Sequence, residues 1–188
     1  MRGTTMARTL IIVPAMYGRE ELNKTLGLIP SDFEESYSEF WSYVEEKLRP
    51  FIGKVCVVYS DRLSPAEETE IRANALIKRL IENRSAFHCV EDSLLAAEAE
   101  AWLEMMENGR VQAAVELFEE NLMERDEYAR DVIEQTLRDD EMGVLFIDPS
   151  RKISFPEDIR VIRMCPFDPV DYLNLHLVKL KIEKREEQ

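Results

Sequence analysis

Histidine and glycine are scarce in this chain: 188 residues carry 2 His and 6 Gly. So few glycines leave no Gly-rich loop to cradle a nucleotide phosphate. Neither the GxSxG turn of a serine hydrolase nor the HExxH of a zinc peptidase occurs, and no complete catalytic motif is present. His88 falls in a predicted strand and His176 in a predicted helix, and both read as structural residues. The 3 cysteines, Cys56, Cys89 and Cys165, lie far apart in apolar runs without a CxxC pair. They are expected as small buried hydrophobes and not as zinc ligands, so no metal is assigned. Positive charge is in deficit, with 24 Lys and Arg against 38 Asp and Glu and a net charge of −14. That balance argues against nucleic acid, which needs a basic stripe to displace counterions, and against an anionic membrane. The longest early apolar run, Leu10 to Tyr17, is too short to span a bilayer and lacks a signal-peptide layout, which makes the cytoplasm the expected location. Met1 to Met6 reads as a leader, with Met6 as an alternative start.

What is present is an apolar fraction of 45% and an alternation of strand and helix patterns that predicts one α/β domain over 1–188. Thr9 to Met16 is a continuous apolar run, as expected of a strand buried on both faces, and Pro14 marks its end. Ser31 with Glu34 forms a capping box, and Phe33, Tyr37, Phe40, Trp41, Val44 and Leu48 follow on one helical face. Lys54 to Ser60 is a second buried strand. Ser64-Pro65-Ala66-Glu67 opens a helix to about Asn83 that is expected to bury Ile71, Ala75, Ile77, Leu80 and Ile81. Phe87 to Val90 is a short third strand.

Two helices then follow in succession. The first is capped by Asp92 or Ser93 and carries Leu95, Trp102, Leu103 and Met106. The second runs from Arg110 to about Arg138, after Asn108-Gly109. They predict a helical hairpin inserted at 92–138, suited to a lid or to a homodimer surface. Gly143 to Ile147 and Arg160 to Met164 complete a mostly parallel sheet of about five strands. The residues between them barely allow a crossover. Asp168-Pro169 caps a final helix, and a charged tail follows Lys181.

Ligands of such sheets gather beyond the carboxyl ends of the strands. Those ends read Met16-Tyr17, Ser60-Asp61, Glu91-Asp92, Asp148-Pro149 and Cys165-Pro166, so Asp61, Glu91, Asp92 and Asp148 are candidate oxygen ligands for a hard cation. Each also reads as a turn former or cap. Arg125 is the other candidate. Helical spacing from Phe118 and Leu122 through Arg125 to Ala129 and Val132 places it on the apolar stripe. A guanidinium keeps its proton there and must meet a carboxylate or an anionic ligand, with Asp148 or Asp61 the expected partner. Glu120, Glu124, Glu127, Asp131 and Glu134 read as a solvated face.

The string MERDEYARDVIEQTL followed by GVLFID resembles the E-R-(N/D)-x-x-(M/A) helix and following strand of the TraB/ChaN/GumN-like superfamily. That superfamily includes haem-uptake ChaN proteins and the Tiki metalloproteases. In it, the first strand and the strand after the E-R-D helix each end in Gly-x-x-His. Here those stretches read Pro14-Ala15-Met16-Tyr17 and Asp148-Pro149-Ser150-Arg151, while Glu124-Arg125-Asp126 matches the helix and Asp61 the acidic residue after the second strand. The resemblance implies a degenerate member without the histidines. It would bind a small ligand or protein partner at the strand-end cleft through Tyr17, Asp61, Arg125, Asp148 and Arg151. The alternative is a divalent-metal-dependent hydrolase using Asp61 and Asp148, with Tyr17 or Arg151 in place of the histidines.

Overall fold

The computed structural model describes residues 7–26, 29–61, 72–107 and 111–176. Five strands form one all-parallel sheet: β1 (Arg8–Pro14), β2 (Val55–Ser60), β3 (Ala86–Cys89), β4 (Met142–Ile147) and β5 (Ile159–Arg163). Their order across the sheet is β3-β2-β4-β1-β5. The interior strands are the apolar runs of the sequence, because a strand covered on both faces must be apolar at every position. β1 ends at Pro14, as its missing N–H requires.

Helices cover both faces. α1 (Arg19–Leu26), α2 (Phe33–Leu48) and α3 (Arg72–Glu82) pack on one face, where Leu22, Phe40, Trp41, Val44, Ile77 and Leu80 meet Ile11, Val13, Val58 and Phe146. α4 (Ser93–Glu107) and α5 (Val111–Thr136) make the β3–β4 connection. Ala129 and Ile133 of α5, with Leu137 just beyond it, bury against Leu10, Tyr59 and Leu145 on the opposite face. The helical pair is thus the crossover itself, and its second half is a wall of the core. The β4–β5 connection also lies on that face, where Ile153 and Phe155 pack against the same cluster. The connections leaving β2 and β4 therefore diverge to opposite faces, which puts the topological switch point between their carboxyl ends. No described helix is long and apolar enough to cross a membrane.

Several expectations are corrected at this level. Cys56 is exposed and not a buried hydrophobe. It is the extra residue where the β2–β4 register jumps from Val55 to Val57, and a bulge turns its odd residue out of the pleat. The N-cap of α2 is Asp32, without a side-chain cap, so the Ser31 capping box does not form. In α3 the sheet-facing residues are Ala73, Asn74, Leu76, Ile77 and Leu80, leaving Ala75 on the exposed side. Leu103 is also exposed, because α4 packs on α5 and not on the sheet. Asp92 does cap α4, its Oδ1 accepting from Leu94 and Leu95 N–H at 2.8 and 3.1 Å. Asp168 caps the helical segment 169–176 through Val170 N–H at 2.8 Å. The 64–67 box, Ile71, Asn108-Gly109, the leader and the tail lie outside the described residues.

Two interior contacts are tight enough to test. A Cβ on Gly143 would stand 3.0 Å from the Tyr59 ring and 3.2 Å from both Leu10 and Leu137. Gly143→Ala should therefore cost about 1–3 kcal/mol in urea unfolding, as overpacking does. Tyr59 itself is fully buried, with its hydroxyl 3.0 Å from Thr136 Oγ1. Burial pushes its phenol up from 10.0 to about 12. Burial likewise raises Tyr172 to about 12. An unfolded phenol ionises near 10 while these keep their protons to about 12. The stability they contribute is whole below pH 10 and is lost as pH rises through 12. Urea midpoints should fall across that window, and less steeply in Tyr59→Phe.

Candidate functional site

At the carboxyl edge of the sheet the strands deliver Tyr17, Asp61, Glu91 and Asp148, and α5 delivers Arg125 and Asp126 over them. How α5 gets there follows from the hairpin. Asn121 Nδ2 donates to the Leu95 carbonyl at 3.0 Å, which sets α5 antiparallel to the start of α4. One turn further along α5, Arg125 comes opposite Glu91, two residues beyond the end of β3. Its Nε and Nη2 donate to Glu91 Oε1 and Oε2 at 2.9 and 2.5 Å. This fork-on-fork pairing is the geometry for which arginine is suited.

Glu91 also accepts from Arg151 Nη1 at 3.1 Å, and Arg151 Nε donates to Asp126. The Glu91 and Arg151 side chains are 4% and 2% exposed, so the bridge between them is out of water. The Glu91 hydrogen bond raises the Arg125 pKa against the opposing effect of burial, and Asp61 and Asp148 act through space in the same direction as Glu91. Arg125, Arg151, Glu91 and Asp126 therefore form an alternating chain of buried and half-buried charges, each cation paired with a carboxylate.

A second hydrogen-bonded group adjoins it. Asp61 Oδ2 accepts from the Asp148 N–H at 2.7 Å, joining the ends of β2 and β4. Tyr17 donates its hydroxyl to Asp148 Oδ2. Asp148 Oδ1 takes the Ser150 N–H at 2.8 Å and the Ser150 hydroxyl at 2.5 Å, and the Asp148 carbonyl accepts from Arg151 N–H at 3.1 Å. Asp148 thus organises the turn after β4. Cys89 stands beside this group, but burial pushes its thiol up against the lowering effect of its hydrogen bond to the Glu91 backbone, and the charges of Glu91 and Asp61 add to the rise. It is no activated nucleophile. Among the described residues no three of His, Cys, Asp and Glu are grouped so as to hold a metal ion.

The five residues singled out from sequence, Tyr17, Asp61, Arg125, Asp148 and Arg151, are brought to one edge of the sheet, Arg125 and Arg151 sharing Glu91, and Tyr17 and Asp61 both bonded to Asp148. One expectation is overturned. The partner of Arg125 is Glu91, not Asp61 or Asp148, because the antiparallel hairpin returns α5 over the end of β3. Sequence reasoning also missed Asp126 as the partner of Arg151. Its adjacency to Arg125 was the available signal. The histidines stay outside the network. His88 stacks on Tyr59 with ring centroids 6.0 Å apart, and His176 lies 3.3 Å from Asp32.

Next to the network, on its α5 side, is a cleft of about 140 Å³. Ile12, Pro14, Leu145, Ile147 and Ile153 form its apolar lining. Asp148, Arg151, Lys152 and Arg163 supply its polar lining.

Because Glu91 serves two arginines, Glu91→Ala should be the most damaging change in this region. It should cost about 3–5 kcal/mol in chemical unfolding, since it strands buried charge. Arg125→Ala should cost less, because Arg151 still pairs Glu91. Equal losses would show that Glu91 is not shared. No protein-family model, no curated protein and no solved structure matches this chain.

Proposed function

We propose that this chain is a non-catalytic small-ligand-binding domain, a degenerate relative of the TraB/ChaN/GumN-like superfamily, with its ligand in the cleft at the carboxyl ends of β4, β1 and β5. The observation that carries this reading is the division of labour at the sheet edge. Glu91, Asp126 and Asp148 are occupied by arginines, by Tyr17 and by Ser150, while the adjoining space is open, apolar on its floor and polar at its rim. A concave apolar site with a few placed polar groups is the usual form of a small-molecule pocket. The tyrosine and arginine standing where the superfamily has histidines are spent on positioning: Tyr17 on Asp148, Arg151 on Glu91 and Asp126. They replace the chemistry of those positions with structure.

The competing reading, a divalent-metal hydrolase built on Asp61 and Asp148, requires carboxylate oxygens turned to a common cation. Here Asp61 accepts the Asp148 N–H, and Asp148 is turned to Tyr17 and Ser150. A fragment screen by amide NMR tests the two together. Fragments should shift the resonances of Ile12, Leu145 and Ile153, and Ile153→Trp, which fills the space, should abolish those shifts. Magnesium or manganese should leave the melting temperature unchanged. A metal-dependent rise with chelator-sensitive hydrolysis would favour the enzyme, since a ligand that binds only the folded state stabilises it.

A further inference from the structure

We infer that the ligand of this cleft is a small organic anion, a carboxylate or phosphate head on a short apolar tail; this rests on the cleft being the ligand site. The protein as a whole is acidic, at −14, yet three of the four charged residues lining the cleft are cations: Arg151, Lys152 and Arg163 against Asp148. The one carboxylate is already saturated. Its two oxygens take the hydroxyls of Tyr17 and Ser150 and the Ser150 N–H, so it has little left to offer a cationic ligand.

The cations are less fully used. Arg151 spends Nε on Asp126 and Nη1 on Glu91, but its Nη2 is buried and meets no acceptor among the described residues. A buried guanidinium nitrogen left unpaired is costly, and the charge of Arg151 adds to those of Lys152 and Arg163 around the cleft. Lys152 is exposed, and no described carboxylate pairs with its amine. Arg163 is 49% exposed and, among the described residues, held only by the surface pair to Asp168 at 2.6 Å, a contact of the kind an incoming anion displaces at little cost. The rest of the lining is largely hydrocarbon, from Ile12, Leu145, Ile147 and Ile153. The cleft thus offers both charge for a head group and apolar surface for a tail, and its size, about 140 Å³, limits the tail to a few carbons.

The test compares butyrate, butyl phosphate and the neutral isostere butyramide with the whole protein, by calorimetry and amide NMR at fixed ionic strength. Saturable binding of butyrate or butyl phosphate with shifts at Leu145 and Ile153 is expected, and the stronger of the two identifies the head group. Butyramide should be silent. The double variant Lys152→Gln, Arg163→Gln changes exposed side chains, and its melting temperature verifies the fold. It should weaken the anion about tenfold, the scale of a lost charge-assisted contact. Butyramide binding as well as the anions would overturn the anion assignment while leaving a ligand site. Anion binding unaffected by the double variant would place it elsewhere and overturn the inference. Silence of all three probes at the cleft would overturn the inference and the ligand-site reading together.

Discussion

A carboxylate at the end of the edge strand holds the upper side of this molecule together. Glu91 is buried, and a buried carboxylate survives only where cations and hydrogen bonds replace its water. Arg125 comes to it from α5 and Arg151 from the turn after β4. Three segments far apart in the chain are therefore tied at one point: the end of β3, the middle of a long helix and the start of the last crossover. Asp126 then closes the chain by taking the other side of Arg151. Such a cluster contributes less net stability than its bonds suggest, because each charge has lost its hydration. Its effect is to specify which residues meet.

The shape of the cleft follows from the way β4 reaches β5. That connection must pass over β1, since β1 lies between them in the sheet, and it does so without a helix. A helix on that side would cover the carboxyl-end halves of β1 and β5. The extended segment instead contributes Ile153 and Phe155 to the core and leaves room beside them. The same segment carries Arg151 and Lys152. The missing helix thus creates the space, and the turn that replaces it supplies the charges at its rim.

Much of the fold is legible in the residues because strands buried on both faces have few alternatives. TLIIVP, VCVVYS and GVLFI are apolar at nearly every position, and the capping residues Asp92 and Asp168 sit where the helices begin. The legible part ends where packing chooses between faces. Nothing local to Ala75 or Leu103 shows that it faces solvent, because that depends on which neighbour the helix meets. The exposure of Cys56 depends on a register jump between β2 and β4, a property of two strands and not of one.

For the candidate site the division is similar. The sequence by itself determined that Arg125 rides an apolar stripe and needs a carboxylate, and that acidic residues collect at the ends of parallel strands. Spacing along a helix and along a strand settles both. Only the tertiary structure decided that Glu91 is the partner, because the choice among Asp61, Glu91 and Asp148 turns on the strand order and on the antiparallel return of α5 over β3. It also decided that Arg151 and Arg163 line the same cleft, since β5 lies beside β1 and the turn after β4 must cross it. Pairing at a distance is set by where the backbone is carried, and no local pattern of residues records that.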